Sequence, residues 1–105
     1  GNVGLDITVK ANTATMCTNY STCTGGTPIS ISNIKYALTS GISWSSGTTL
    51  TTSAVEAEVN IPKQTSGTVP TKQTWWGIQI PSNILPGVYN GLNVVGYVLG
   101  ETSDW

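Results

Sequence analysis

The feature that most constrains the fold is a run of 28 residues, from 73 to 100, that contains no charged side chain. Its last part, residues 94–99, carries apolar groups on both faces of any extended strand, because neighbouring side chains point in opposite directions. These apolar side chains are Val94, Val95, Tyr97, Val98 and Leu99. The core of a 105-residue domain covers one face of a terminal strand, so the other face needs a different cover. We expect another subunit to provide it.

The composition favours a single all-β domain over residues 1–105. Charged residues make up 9% of the chain, against about 25% in a typical soluble protein, whereas 38% of the residues are hydrophobic. Such a chain is expected to fold rather than to stay disordered. Thr, Val, Ile, Tyr and Trp favour strands, and turn residues divide the chain into about seven or eight short strand segments. This pattern predicts an antiparallel β-sandwich of immunoglobulin-like or jelly-roll-like type.

Charge and segment length argue against two classes of partner. The net charge of −1 offers no electrostatic attraction to nucleic acid or to anionic lipid. A membrane-spanning helix needs about 20 predominantly apolar residues, whereas Pro, Gly and Asn interrupt the uncharged run repeatedly. We therefore predict neither a nucleic-acid partner nor a membrane span.

Two segments alternate between apolar and polar residues, as half-buried strands do. In residues 5–11, the odd-numbered side chains are apolar, and the polar ones between them, beginning with Asp6, are predicted to face solvent. In residues 55–61, the odd-numbered side chains again predict the core face, with Glu56 and Glu58 outside.

Further strands are predicted from alternation and turn residues. In residues 75–80, the even-numbered Trp76, Ile78 and Ile80 are predicted to line the core, while Trp75 points the other way. The apolar phase changes between residues 29–31 and 34–38, which places a bulge or turn at residues 32–33. The last strand is predicted to begin at Val88, after a turn rich in Pro and Gly.

The two cysteines, Cys17 and Cys23, enclose a short polar loop. A disulfide across it would add on the order of 2 kcal/mol of stability and would indicate an oxidising compartment; two unpaired buried thiols are the alternative. Without histidine or further thiols, the chain lacks the ligands of a zinc site. Asn19 begins a glycosylation triplet within the loop. Gly1 in place of Met predicts removal of a secretion signal, and so an extracellular or cell-surface location.

Few residues are suited to acid–base or nucleophilic chemistry. Glu56 and Glu58 are predicted about 7 Å apart on one strand face, close to the spacing of a glycosidase carboxylate pair, although outward positions usually hold charges that keep a protein soluble. Without His or Arg, catalytic triads and phosphoryl transfer lack their usual residues. A calcium site that uses Asp6, Glu101 or Asp104 is an alternative, but no known calcium-loop pattern is present. We predict that the protein is not an enzyme and has no cofactor or metal.

Both ends of the chain carry strands suited to assembly. A terminal strand is readily added to the sheet of another subunit, and low charge removes the repulsion that normally keeps sheet edges apart. We hypothesise that residues 4–11 or 91–99 are the exchanged strand, and that Trp105 docks on a neighbour because it is a large apolar group at the end of the chain. The predicted interface comprises Leu5, Ile7, Val9, Val94, Val95, Tyr97, Val98, Leu99 and Trp105.

An alternative function rests on exposed aromatic side chains. Trp75 lies beside Thr and Gln residues and is predicted to point away from the core. An exposed indole beside amides and hydroxyls is a typical platform for stacking on a sugar ring. Packing under the loop at residues 62–72, or against another subunit, is the competing interpretation.

Residues 76–91 resemble the last hairpin of many secreted immunoglobulin-like and fimbrial domains. In those domains an apolar strand and a Pro-Ser turn are followed by Pro-Gly-x-Tyr, which Pro86, Gly87 and Tyr89 match here. The resemblance implies that Pro-Gly makes a turn and that the Tyr packs near the start of the last strand. It also implies a non-catalytic surface domain, with pilus or filament subunits among its commoner occupants. The sequence thus predicts a self-polymerising structural subunit, with a carbohydrate-binding or adhesive module as the alternative.

Overall fold

The computed structural model of the protein describes residues 3–105 and consists of strands and short turns. Gly1, on which the prediction of a removed leader rests, lies outside the described residues. The strands are β1 (Leu5–Ala11), β2 (Thr15–Met16), β3 (Ile29–Ser30), β4 (Ile34–Ala37), β5 (Thr48–Thr49), β6 (Val55–Ile61), β7 (Trp75–Ile78) and β8 (Asn93–Leu99). Three 3₁₀ turns span Ile31–Asn33, Trp44–Ser46 and Thr102–Asp104. Residues 3–105 contain no α-helix, so the all-β prediction is confirmed.

The strands form three small antiparallel sheets. Their orders are β6-β1-β8, β2-β3 and β5-β4-β7. Strand β1 is central in the first sheet and pairs with β8 along its whole length, from Leu5 opposite Leu99 to Ala11 opposite Asn93. Strand β8 has no second neighbour within the described residues and is therefore an edge strand.

Residues 81–92, between β7 and β8, do not make the predicted hairpin. Strand β7 pairs with β4 and β8 pairs with β1, so the two strands lie in different sheets. The last strand also begins at Asn93 rather than at Val88, because the intervening residues are held in turns. The Tyr89 hydroxyl closes one of these turns by donating a hydrogen bond to the Leu85 carbonyl oxygen at 2.7 Å.

The hydrophobic core contains residues from both three-stranded sheets. Alternation along β1 and β4 buries one face of each strand, and Leu50 adds a buried side chain after β5. The core residues are Val9, Ala11, Ile31, Ile34, Tyr36, Leu50 and Ala57. The 3₁₀ turn at Ile31–Asn33 produces the change of phase that the sequence predicted at residues 32–33.

Strand β7 departs from the prediction because it is an edge strand. Trp76 lies opposite the buried Tyr36, and Ile78 opposite the buried Ile34, so both point to the predicted face. Trp76, Ile78 and Ile80 are nevertheless exposed, and the prediction that they line the core is wrong. Alternation specifies the face of a strand, whereas burial depends on what lies above that face.

The chain is elongated and exposes more surface than a compact protein of its mass. Its principal extents are 50 × 28 × 23 Å and its radius of gyration is 16.5 Å, against about 13 Å for a compact domain of this length. Its accessible surface is 6604 Å², whereas a compact monomer of this mass exposes about 5,600 Å². The excess is therefore about 1,000 Å². No helical segment of residues 3–105 has the length and apolarity to cross a membrane.

Candidate functional site

The exposed edge strand β8 is the first candidate site, because its core-side face is only partly covered. Val95, Tyr97 and Leu99 are 59%, 80% and 63% exposed. They lie opposite Val9, Ile7 and Leu5 of β1, so the two sets of side chains share one face of the sheet. This face is buried near the middle of the sheet and open at the β8 edge. The β8 edge thus combines an unpaired backbone with a row of exposed apolar side chains.

The predicted interface residues fall into different environments. Val9 is buried in the chain's own core, and Leu5 and Ile7 are half-buried on the central strand. Because β1 already pairs with β6 and β8, both of its backbone edges are occupied. The three β1 residues are therefore closed to a partner in this monomer, in contrast to Val95, Tyr97 and Leu99. On the opposite face of β8, Val94 is exposed and Val98 is half-buried.

Trp105 docks on its own chain rather than projecting freely. Its indole N–H donates a hydrogen bond to the Gly100 carbonyl oxygen at 3.1 Å. The ring lines a surface depression together with Pro62, Thr68 and Pro70, which belong to the loop after β6. Trp105 remains 44% exposed, so the intrachain contact covers part of the side chain only.

The second candidate site is an aromatic cleft on the outer face of the β5-β4-β7 sheet. Trp75 is exposed, as predicted, and lines a cleft of about 150 Å³ together with Trp44. Gly77 also lines the cleft, and a Cβ there would lie 3.5 Å from the Trp44 ring. The Lys35 ammonium lies 4.9 Å from the centre of that ring and donates a hydrogen bond to the Trp44 carbonyl oxygen at 3.2 Å. Thr39 and Ser43 add hydroxyl groups to the cleft.

The loop between the two cysteines is closed by the disulfide that the sequence analysis predicted. Cys17 and Cys23 form a disulfide with their Cα atoms 5.3 Å apart, which excludes the alternative of two free thiols. Cys17 is buried, and its backbone exchanges two hydrogen bonds with Asn90 at 3.1 and 2.9 Å. Asn19 is exposed, and its amide donates to the carbonyl and hydroxyl oxygens of Thr24, each at 3.2 Å.

The third candidate site is a cluster of carboxylates that the sequence did not predict as a unit. Asp6 comes from β1, Glu56 and Glu58 from β6, and Glu101 follows β8, so all three strands of one sheet contribute. One carboxylate oxygen of each residue lies within 4.8 Å of one from every other. The three glutamates are exposed, whereas Asp6 is completely buried. The prediction that Asp6 faces solvent is therefore wrong.

A β-bulge explains how Asp6 becomes buried. Leu5 pairs with Ile61 and Ile7 pairs with Ala57, so the three β6 residues from 58 to 60 lie opposite Asp6 alone. Asn60 takes a left-handed backbone conformation, with φ of 54°, and its N–H donates a hydrogen bond to Asp6 Oδ1 at 2.8 Å. On the other side, Gly100 brings the chain so close to Asp6 that a Cβ there would lie 3.4 Å from Oδ2. Alternation alone contains no signal for such a bulge.

Asp6 Oδ2 is a buried oxygen with no hydrogen-bond donor among residues 3–105 as long as Glu58 is ionised; a protonated Glu58 carboxyl can donate a hydrogen bond to Asp6. The surrounding charges offer no compensation, because the neighbours that act on the Glu58 carboxyl are themselves acidic. The pKa of Glu58 is raised above its ordinary value, first by desolvation, then by the negative charges of Glu101, Asp6 and Glu56, and last by its hydrogen bond with Asp6. The cluster is thus rich in oxygen acceptors and poor in positive charge.

Comparison with known proteins gives the chain no relative: it matches no protein-family model, no curated protein and no solved structure. The functional argument therefore rests on the three sites themselves.

Proposed function

We propose that the protein is a non-catalytic structural subunit of an extracellular filament, pilus or surface assembly, in which copies of the chain associate through β8. The observation that carries the proposal is the unpaired β8 edge with Val95, Tyr97 and Leu99 exposed beside it. In this proposal a strand of the next subunit pairs with β8 and covers those side chains. The immunoglobulin-like or jelly-roll-like sandwich is then completed only in the assembly.

The sheet edge supports this proposal because it lacks the features that keep edge strands apart. Soluble proteins protect edges with charges, prolines or bulges. Strand β8 contains no charged residue and no proline, and it pairs with β1 without a shift of register. Donated strands also suit such an edge, since backbone hydrogen bonds provide affinity and alternate side chains provide specificity.

The exposed surface supports it quantitatively. Typical stable interfaces bury about 800 Å² on each partner, and the chain exposes about 1,000 Å² more than a compact monomer of its mass. The excess is therefore of the size that one interface on each subunit would cover. The disulfide between Cys17 and Cys23 adds support for an extracellular location, because such bonds persist in oxidising compartments.

The experiment is to compare assembly of the wild-type protein with that of Tyr97→Lys. Tyr97 is 80% exposed, so the lysine should change the free energy of unfolding of the monomer by no more than about 0.5 kcal/mol. At an apolar interface the same lysine buries an unpaired charge, which costs several kcal/mol. Since each 1.4 kcal/mol is about a tenfold change in affinity, the concentration needed for assembly should rise at least about 100-fold.

Val69→Lys is the matched control, because Val69 is 67% exposed but lies in the loop after β6 rather than on a sheet edge. Sedimentation velocity and negative-stain microscopy should show filaments or large particles for the wild type and the control, and monomers for Tyr97→Lys. A wild-type protein that stays monomeric at millimolar concentration contradicts the proposal. Equal assembly of the two lysine variants excludes β8 as the interface.

The aromatic cleft favours carbohydrate binding as a second candidate function. Trp44 and Trp75 present indole rings beside the hydroxyls of Thr39 and Ser43, the combination that lets a protein stack on a sugar and bond its hydroxyl groups. Glycan-array binding by the wild type that is lost in Trp75→Ala would support this function. Binding that persists in Trp75→Ala would exclude the cleft as the glycan site.

A further inference from the structure

We propose that Asp6, Glu56, Glu58 and Glu101 form a binding site for a calcium ion. The site is independent of the β8 edge and of the aromatic cleft, and it does not depend on the proposed assembly. A single calcium ion at this site would connect all three strands of the β6-β1-β8 sheet.

The separation of the carboxylates fits one calcium ion. Calcium binds six to eight oxygen atoms at about 2.3–2.6 Å, so two oxygens on one ion lie at most about 5.2 Å apart. Each of the four carboxylates has an oxygen within 4.8 Å of one from every other. Four carboxyl groups contain eight oxygens, and one of these, Asp6 Oδ1, already accepts a hydrogen bond from the Asn60 N–H. The remainder are enough for a calcium shell, with water filling any open positions.

The burial of Asp6 is the second, independent observation. Its side chain is 0% exposed, and its Oδ2 atom accepts no hydrogen bond from the described residues as long as Glu58 is ionised. Removing a carboxylate from water without a donor or a cation is strongly unfavourable. A cation held by the cluster gives Oδ2 a partner without requiring a proton on the neighbouring Glu58. A carboxylate on the protein surface would not need such a cation, because water hydrates it.

The distribution of charge points the same way. The chain has five acidic residues, and four of them meet in this cluster. Like charges that lie close together repel each other. Acidic residues that serve only to keep a protein soluble are therefore more favourable when they are spread over the surface. The bulge in β6 and the close approach of Gly100 instead bring these charges to the buried Asp6. Such a concentration is favourable once a divalent cation neutralises it.

The cluster fits calcium better than magnesium. Magnesium holds its ligands at about 2.0–2.1 Å in octahedral geometry and gives up its waters reluctantly, so two of its ligand oxygens lie at most about 4.2 Å apart. Calcium accepts wider and less regular sets of carboxylates. We therefore expect selectivity for calcium.

The test is calorimetric titration of the metal-free full chain with CaCl2 and with MgCl2 at constant ionic strength. The wild type should bind one calcium ion per chain with a dissociation constant below about 1 mM, the range of extracellular calcium modules, and should bind magnesium at least about tenfold more weakly. Glu101→Gln should weaken calcium binding at least about tenfold, since it removes one ligand charge. Asp104→Asn is the control, because it removes the fifth acidic charge from the same segment without touching the cluster.

Thermal unfolding separates a metal site from a merely acidic patch. Without calcium, Glu58→Gln should raise the unfolding temperature, because it relieves repulsion; with calcium in excess, it should lower that temperature relative to the wild type, because a ligand is lost. This reversal of sign supports the proposal. No calcium binding by the wild type at about 10 mM would overturn it, as would equal stabilisation by CaCl2 and by NaCl of the same ionic strength. Equal effects of Glu101→Gln and Asp104→Asn on calcium affinity would also overturn it.

Discussion

The disulfide between Cys17 and Cys23 allows a prediction whose magnitude follows from the structure. Replacing both residues by alanine removes the bond without adding a polar group at the buried Cys17 position. The closed loop is short, with a sequence separation of 6. In the chain-entropy model, opening such a loop in the unfolded state lowers the free energy of unfolding by about 2 kcal/mol. The free energy of unfolding should fall by this amount even though the loop contributes little to the core, because the disulfide acts by restricting the unfolded chain.

Urea unfolding and thermal unfolding measure the effect. A loss of about 2 kcal/mol corresponds to a fall of roughly 8–16 °C in the unfolding temperature of a domain of this size. The dependence of the unfolding free energy on urea should steepen slightly, because the unfolded chain becomes more expanded. Wild-type protein in reducing agent should unfold at the same temperature as the variant, and the variant itself should not respond to the reducing agent.

The result also tests what the disulfide connects. Cys17 exchanges two backbone hydrogen bonds with Asn90, so its loop holds residues 81–92 as well as closing on itself. A loss well above about 3 kcal/mol would exceed the entropy of the short loop and would mean that this second attachment fails too. A loss below about 0.5 kcal/mol, the range of neutral surface substitutions, would refute the reasoning, because the loop would then have to be equally restricted without the bond.

Three further substitutions test the core, a close strand contact and a turn. Leu50→Ala should lower the free energy of unfolding by about 2–5 kcal/mol, because Leu50 is buried in the core, whereas Leu38→Ala should lower it by only about 1 kcal/mol, because Leu38 is 37% exposed; urea unfolding compares the two. Gly96→Ala should destabilise by about 1–3 kcal/mol, because its Cβ would lie 2.6 Å from the Thr8 hydroxyl oxygen, and adding Thr8→Ala should recover most of the loss in a double-mutant cycle. Tyr89→Phe should cost about 1 kcal/mol in the same assay, because it removes the short hydrogen bond to the Leu85 carbonyl and the longer one with the Thr27 hydroxyl at 3.4 Å; no change would mean that water replaces these bonds.

The local patterns of the sequence predicted the positions of the strands better than they predicted which strand faces are covered by other elements. Strands β1 and β6 occupy the predicted residues 5–11 and 55–61, because alternation is a property of each segment alone. Trp76 points to the predicted face of β7, yet it is exposed because no other element within residues 3–105 covers that edge. Which strand lies at an edge depends on the order of strands in the sheet, and a single sequence carries little information about that order.

The same distinction holds for the candidate sites: the β8 site follows from a local sequence pattern, whereas the acidic cluster depends on how the strands pair. The two-faced segment at residues 94–99 identified β8 as the strand in need of a cover, and it is an edge strand with exposed apolar residues. The sequence named Asp6 and Glu101 as candidate calcium ligands, but it did not place them with Glu56 and Glu58, because the four residues come together only through the pairing of β1 with β6 and β8. The bulge that buries Asp6 depends on the left-handed conformation of Asn60, which the alternating pattern of β6 does not indicate.

The pairing of β1 with β8 has a consequence for how the protein folds during synthesis. Residues 5–11 must wait for residues 93–99 to leave the ribosome before the central strand has both neighbours. At about 5–20 residues per second, β1 spends several seconds without β8 as its partner. Contacts between such distant parts of a chain also form slowly, because the entropy of closing the connecting loop is lost before the strands can pair. We therefore expect the β6-β1-β8 sheet to stay incomplete until residues 93–99 have been made.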